Sequence, residues 1–234
     1  MPIDAVLVSD VHVDGPTCER QTAFLRFLAG LNADAPPRVC LLGDVFHTWW
    51  CRGGEPFSQH DAVVRALADF PLICLAGNHD FHAPIYFGEK GAMVAENKSA
   101  IGSMVTTTLG VLSAVLTHGD QVDTSGGYRR LHAVLRSSSF DRVMGMLPVA
   151  TGWAFLHRLA GHAKGVPSPV AVANQRTLGA RLSEGHGLVA MGHTHAPEIV
   201  RHPTFTYVNT GDWVEHRTYA TVEGGNVELR GFEG

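Results

Sequence analysis

Leu72-Ile73-Cys74-Leu75-Ala76-Gly77-Asn78-His79-Asp80 is an apolar run of strand length that stops in a glycine and three side chains able to bind a metal or move a proton. The same form occurs twice upstream. Ala5–Val8 runs into Ser9-Asp10-Val11-His12, and Val39–Leu42 runs into Gly43-Asp44. Between these runs the apolar residues change period. Phe24, Leu25, Phe27, Leu28 and Leu31 within Gln21–Leu31, and Val63, Val64 and Leu67 within Asp61–Phe70, fall at helical spacing. Short strands joined by helices predict βαβ units. Strands apolar at every position predict burial on both faces.

Downstream the pattern resumes. Val105–Leu109 and Val111–Thr117 predict a hairpin around Gly110, ending in His118-Gly119-Asp120. Leu188–Met191 ends in Gly192-His193-Thr194-His195, and Phe205–Val208 in Asn209-Thr210-Gly211-Asp212. Tyr219–Val222 and Val227–Leu229, joined at Gly224-Gly225, make a closing hairpin. Between the two groups of strands, Tyr128–Gly185 reads as helical with breaks at Pro148, Gly161 and Pro167. It is rich in arginine and carries apolar patches at Met144, Met146, Leu147, Trp153, Phe155 and Leu156. The expected organisation is one domain over residues 1–234 with a helical cap inserted at 128–184.

The 234 residues carry 18 Lys+Arg against 22 Asp+Glu, a formal charge of −4, which argues against a nucleic-acid partner. Hydrophobic residues are 45%, enough for a full core. Charged residues are only 17%, which predicts that part of the surface is covered or faces lipid. Cys18, Cys40, Cys51 and Cys74 have no C-x-x-C spacing, and Cys40 and Cys74 sit in strand-like runs as expected buried thiols; a reducing compartment is the simpler setting. The opening MPIDAVLVSD lacks a basic, then apolar, leader, so no signal peptide is expected. No run reaches the length of a membrane span. The expected location is cytoplasmic.

Fourteen histidines make a metal site the first chemical expectation. A single G-D at a strand end is more often a turn, and a single H-x-H more often surface or core histidine. Six strand ends in succession bearing carboxylate, imidazole or carboxamide are a different matter, because ligands bind beyond the carboxyl ends of strands in open α/β sheets. Thiolates are missing from the set, which disfavours iron–sulfur, copper(I) and structural zinc. Mixed imidazole and oxygen donors suit Mn, Fe or Zn, and they are too numerous for one ion. Two divalent ions are therefore expected, manganese first, with iron and zinc as alternatives. His47, His82 and His157 read as histidines that are not ligands, with His47 and His82 close enough to the motifs to orient ligands, and Asp14 as a ligand-orienting or a turn residue.

The ordered set D-x-H, G-D, G-N-H-D, H-G-D, G-H-T-H resembles that of the calcineurin-like metallophosphoesterases, over nearly the whole chain. The resemblance implies a four-layer α/β/β/α sandwich of two mixed sheets. It implies one metal on Asp10, His12, His195 and a shared Asp44, and a second on Asp44, Asn78, His118 and His193. His79 resembles the family's catalytic histidine, with Asp80 expected to orient it through a carboxylate–imidazole bond. In such a site two cations make water reactive toward phosphorus at neutral pH and screen the phosphate oxygens.

Within that family, Gly43-Asp44-Val45-Phe46 with Trp49, His118-Gly119-Asp120 with Thr124, and Asn209-Thr210-Gly211-Asp212-Trp213 resemble the UDP-2,3-diacylglucosamine pyrophosphatase group of lipid A biosynthesis. That resemblance implies hydrolysis of a nucleotide-sugar lipid to UMP and 2,3-diacylglucosamine 1-phosphate, with peripheral contact on the inner face of the cell membrane. Arg129, Arg130 and Lys164 are the expected phosphate contacts, and Trp153 and Phe155, with Leu156, the expected acyl groove. One departure stands out: the best-known branch has arginine where this chain has His79. A phosphoesterase of another small diester or monoester, and a non-catalytic scaffold on this fold, are the rival readings.

Overall fold

Strand β1 (Ala5–Val8) is buried at every residue, and its two neighbours explain why. The computed structural model describes residues 2–31, 35–52, 55–94, 103–123, 126–161 and 168–234. On one side β1 pairs in parallel with β2 (Arg38–Leu41), Val6 opposite Val39 and Val8 opposite Leu41. On the other it meets the closing hairpin of β12 (Thr218–Glu223) and β13 (Asn226–Gly231) in antiparallel register. Beyond β2 come β5 (Leu72–Cys74) and the short β6 (Met93–Val94), both parallel, which gives a six-stranded mixed sheet. The connections α1 (Glu19–Ala29), α2 (Asp61–Leu67) and α3 (Ala83–Glu89) bear out the expected βαβ units. A two-stranded ribbon, β3 (Cys51–Arg52) and β4 (Glu55–Pro56), interrupts the second of them.

The second sheet has five strands in the order β10 (Glu198–Arg201), β11 (Thr206–Asn209), β9 (Leu188–Met191), β8 (Leu112–Thr117), β7 (Met104–Leu109). Its three inner strands run parallel, and β7–β8 is the expected hairpin. Side-chain alternation, the two-residue period of a strand, builds the layers. Ala5, Leu7, Cys40, Leu42 and Ile73 face Leu116, Leu188, Ala190 and Val208 between the sheets. Val6, Val8, Val39, Leu41 and Cys74 face outward against Phe24, Phe27, Leu28, Val63 and Phe87 of α1–α3. Each such fully buried aliphatic or aromatic side chain contributes about 1.5–3 kcal/mol. Cys40 and Cys74 are buried free thiols, and burial pushes Cys40 up to about 12.

Helices α4 (Gly126–Leu135), α5 (Ser138–Met146), α6 (Val149–Ala160) and α7 (Pro169–Leu182) fill the stretch between β8 and β9. Ser137 starts α5 by accepting a hydrogen bond from the Phe140 N–H, and Pro148 stands just before α6. The segment expected as one cap, 128–184, divides in two. Leu178 and Leu182 of α7 lie on Val115, Val189, Met191 and Tyr207, the outer face of the second sheet, so α7 is the fourth layer of the sandwich. Only α4–α6 stand over the strand ends, where Met144 and Leu156 pack on Trp50 and Phe57, and Leu135 and Phe140 on Ala76 and Phe81. Among the described residues, no helix is long and apolar enough to cross a membrane.

Candidate metal centre

The strand ends of both sheets meet at one edge, and the backbone there is strained. Asp10, His12, Asp44, His193 and His195 all have positive φ, between 50° and 68°. For non-glycine residues this left-handed region costs about 1–3 kcal/mol each and persists only where surrounding structure enforces it. The one other non-glycine residue with positive φ among the described residues is Arg217. The turns are also tight. Gly43 and Gly77 face each other so closely that a Cβ on Gly43 would lie 2.7 Å from the Gly77 Cα, and one on Gly77 would overlap the Asp44 carboxylate.

Hydrogen bonds across the two sheets set the side chains. The His193 N–H donates to Asp10 Oδ2 at 2.9 Å, and the Trp213 N–H donates to the Asp10 carbonyl. Nδ1 of His118 lies 2.8 Å from the Leu42 carbonyl, so that nitrogen carries the proton. Nε2 is thereby left facing Asp44 Oδ2 at 3.6 Å and Asn78 Oδ1 at 3.2 Å. His193 Nδ1 is 3.0 Å from the same Asn78 oxygen. His195 Nε2 is 3.2 Å from Asp10 Oδ1. Asp10, His12 and His195 thus converge on one point, and Asp10, Asp44 and His118 on another, with Asn78 and His193 beside the latter. A histidine whose second nitrogen is pinned to a carbonyl, as in His118, is oriented as a ligand.

The chemistry of this donor set fits divalent cations. His12 is buried and neither of its ring nitrogens has a hydrogen-bond partner. A buried polar group left so carries its full desolvation penalty, and a cation removes it. Burial also drives His12 down to about 3, so the imidazole is neutral with a free lone pair. For Asp44 burial works upward, but His118, His79 and His12 outweigh it and hold the carboxyl below its ordinary range. For Asp10 burial is again outweighed, by His195 first, and the carboxylate is ionised.

Asp80 does something other than expected. His79 Nδ1 lies 3.0 Å from the His47 carbonyl, so the orienting partner of His79 is backbone. The Asp80 carboxylate instead accepts from four backbone N–H groups: Asp44 and Gly77 on Oδ1, Val45 and Phe46 on Oδ2. It ties the turn after β2 to the turn after β5. Burial, with Asp44 nearby, raises its carboxyl to about 6. Asp80→Ala would leave four buried donors unmet at about 1–3 kcal/mol each. It is expected to lower stability by about 4 kcal/mol or more, and Asp80→Asn by less, read as urea midpoints at unchanged slope. A stable Asp80→Ala with lost turnover would restore the direct role on His79.

The second-sheet turn has its own brace, which the sequence did not announce. Gln175 of α7 is fully buried, donates to the Gly192 carbonyl, and accepts from Thr194 and Asn209. Asn209, at a strand end, therefore supports the His193–His195 turn. Asp212 accepts from the Glu215 N–H and pairs with His216.

Beside Asn78 and His79 opens a cavity of about 180 Å³, walled by Trp49, Trp50, Phe81, Leu131, Leu135, Phe140, Leu156 and Leu159. Leu156 lies in its wall; Trp153 and Phe155 do not. Trp153 packs behind it on Trp50 and Met144, and Phe155 is exposed. Arg129 and Arg130 are exposed on α4, and Lys164 lies outside the described residues. Two other arginines reach the metal edge: Arg20 donates to the His12 carbonyl at 3.0 Å, and Arg136 donates to the Gly77 carbonyl at 3.4 Å, lies 3.9 Å from Asp120 and covers the Phe81 ring.

The UDP-2,3-diacylglucosamine hydrolase of Neisseria meningitidis is 26% identical over 231 residues, covering 93% of this chain and 92% of its own. That of Stenotrophomonas maltophilia is 26% identical over 246 residues, covering 96% of each. A solved structure described as a novel archaeal phosphodiesterase shares the fold, with a TM-score of 0.51 at 12% identity, covering 97% of this chain and 98% of its own. The model of the calcineurin-like phosphoesterase family matches residues 4–197, from the residue before β1 to just past the His193–His195 turn. That span takes in each proposed metal ligand, and the chain belongs to the calcineurin-like phosphoesterases, as a metal-dependent hydrolase.

Proposed function

We propose that the chain hydrolyses the diphosphate of UDP-2,3-diacylglucosamine, releasing UMP and 2,3-diacylglucosamine 1-phosphate. The observation that carries this is the apolar cavity opening directly at Asn78 and His79. A wall of tryptophan, phenylalanine and leucine beside the phosphorus suits an acyl chain. The relatives named for that hydrolysis support the same substrate.

Asp10, His12 and His195 would hold one divalent ion and Asn78, His118 and His193 a second, with Asp44 available to both. Manganese is the first choice for this mix of imidazole and oxygen donors, which is free of sulfur. Such a pair makes water nucleophilic and neutralises the phosphate oxygens. The protein supplies the rest. Asp80 and Gln175 fix the turns, and His79, pinned through Nδ1 to the His47 carbonyl, offers Nε2 to the phosphate or the departing oxygen. The cavity takes an acyl chain, with Leu156 and Phe140 in its wall. Arg129 and Arg130 meet the nucleotide from the rim, with Lys164 assigned to the same role and Trp153 backing the wall. Leu131, Val134, Val143, Met146, Val149, Phe155 and Leu159 are exposed apolar side chains on α4–α6, suited with the arginines to an anionic membrane surface.

The second reading, a small diester or monoester as substrate, is favoured by one residue: His79, the choice general to phosphoesterases, stands where the best-known branch of the resembled group has arginine. A single experiment separates the two. The manganese-loaded protein is given UDP-2,3-diacylglucosamine in phosphatidylglycerol vesicles, and in parallel bis-p-nitrophenyl phosphate and cyclic nucleotides. Release of UMP is expected at a kcat/KM at least about tenfold above any simple diester, a difference of 1.4 kcal/mol, with the protein sedimenting with the vesicles. Hydrolysis of the diesters alone would end the lipid reading, and protein left in the supernatant would end the membrane one.

A further inference from the structure

A second cluster of ligand-type side chains lies outside the proposed dinuclear set. The isolated parallel bridge between Val13 and Phe46 places the next residues, Asp14 and His47, side by side, and the His47 N–H donates to the Val13 carbonyl at 2.9 Å. From above, α6 brings His157, whose Nε2 lies 2.8 Å from Asp14 Oδ2. The His47 and His157 rings meet edge-on, 5.1 Å apart at 69°. One donor atom from each of the three residues lies within 4.8 Å of the other two.

The hydrogen bond between Asp14 and His157 does not satisfy this cluster. Asp14 Oδ1 is buried with no hydrogen-bond partner, and so is Nδ1 of His47, a side chain only 4% exposed. Two imidazoles and a carboxylate on three separate elements are a transition-metal donor set, and three protein ligands leave one position for water.

We propose that Asp14, His47 and His157 form a third metal site, for a zinc-class divalent ion, which clasps α6 to the strand-end loops. The backbone carbonyl of His47 is the one that orients His79, so the ion anchors the helical cover to the residue that fixes the catalytic imidazole. The site does not rest on the lipid substrate: its ligands are outside the dinuclear set, and its occupancy can be counted without turnover.

The test uses zinc alone. Chelator-stripped protein is dialysed against zinc, the metal per chain is counted, and anomalous density at the zinc edge is collected from crystals. Wild type is expected to hold one ion more than His157→Ala and His157→Gln. Asp44→Ala is expected to hold one more than Asp44→Ala/His157→Ala, which keeps the count valid if the dinuclear pair is lost. His157 is more than a third exposed, and two replacements guard against a folding artefact. A peak between Asp14 and His157 together with the one-ion difference establishes the site. Equal counts in both pairs, or anomalous peaks confined to the Asp10–Asp44 edge, overturn it.

Discussion

Asp44→Ala is expected to leave no measurable hydrolysis, a fall in kcat/KM of at least about 10⁴-fold, or about 5.5 kcal/mol at 1.36 kcal/mol per decade. The size follows from how much one carboxylate does. Oδ2 lies 3.6 Å from His118 Nε2 and 4.0 Å from His12 Nε2, between the two groups of donors. Oδ1 accepts the His79 N–H at 2.8 Å and so sets the turn that carries Asn78 and His79. Alanine removes both functions and also sits poorly at φ 53°, which costs an ordinary residue about 1–2 kcal/mol. Asp44→Asn separates these effects. Asparagine tolerates the left-handed conformation and can still accept from His79, so the fold survives and only the charge is lost. Turnover within about tenfold of the alanine variant is expected, with metal content reduced in both. Asn at this position with full metal content and more than about a hundredth of wild-type turnover would remove Asp44 from between the ions.

How far the residues alone carried the structure depends on what each feature is made of. The runs ending at Asp10, Asp44, Asn78 and His193 were legible because a strand buried on both faces has almost no polar position to blur it, and the run ending at His118 because it pairs with its neighbour across Gly110 as a hairpin. Strand β10 was not, since Glu198-Ile199-Val200-Arg201 is an edge strand, half-buried and charged at both ends. Helix α3 has Pro84 as its second residue and contains Gly88, so its seven residues look like loop. The role of Asp80 was misread because adjacency in sequence suggested an imidazole partner, whereas its carboxylate reaches back to N–H groups more than thirty residues earlier. Five left-handed ligand residues could not be foreseen: only glycine advertises positive φ in a sequence. Helix α7 shows its sheet face at Gln175, Leu178, Gly179 and Leu182, spaced as a helix stripe requires. One of these is a buried amide and another a glycine pressed on the Tyr207 ring, so the stripe carries little hydrophobic signal.

The second large effect separates chemistry from metal binding. His79→Ala is expected to lower kcat by about 10²–10³-fold, the usual loss for one transition-state donor, while metal content stays at the wild-type value. The side chain is outside the proposed ligand set, and the hydrogen bond that His79 contributes to Asp44 comes from its backbone, which alanine keeps. Two further comparisons define what the imidazole does. With Nδ1 given to the His47 carbonyl, only Nε2 can serve the reaction. If it protonates the departing oxygen, the loss is small with p-nitrophenolate or a sugar phosphate, both weak bases that leave without help, and stays large with the alkoxide leaving group of a cyclic nucleotide. His79→Arg supplies charge but no transferable proton at neutral pH, so it is expected to recover activity on the p-nitrophenyl diester and on the diphosphate, as the arginine of the best-known branch implies, and not on a cyclic nucleotide, whose leaving group is an alkoxide. An alanine variant that turned over every substrate at the wild-type rate would take His79 out of the reaction. A variant that lost metal along with activity would make it a ligand instead.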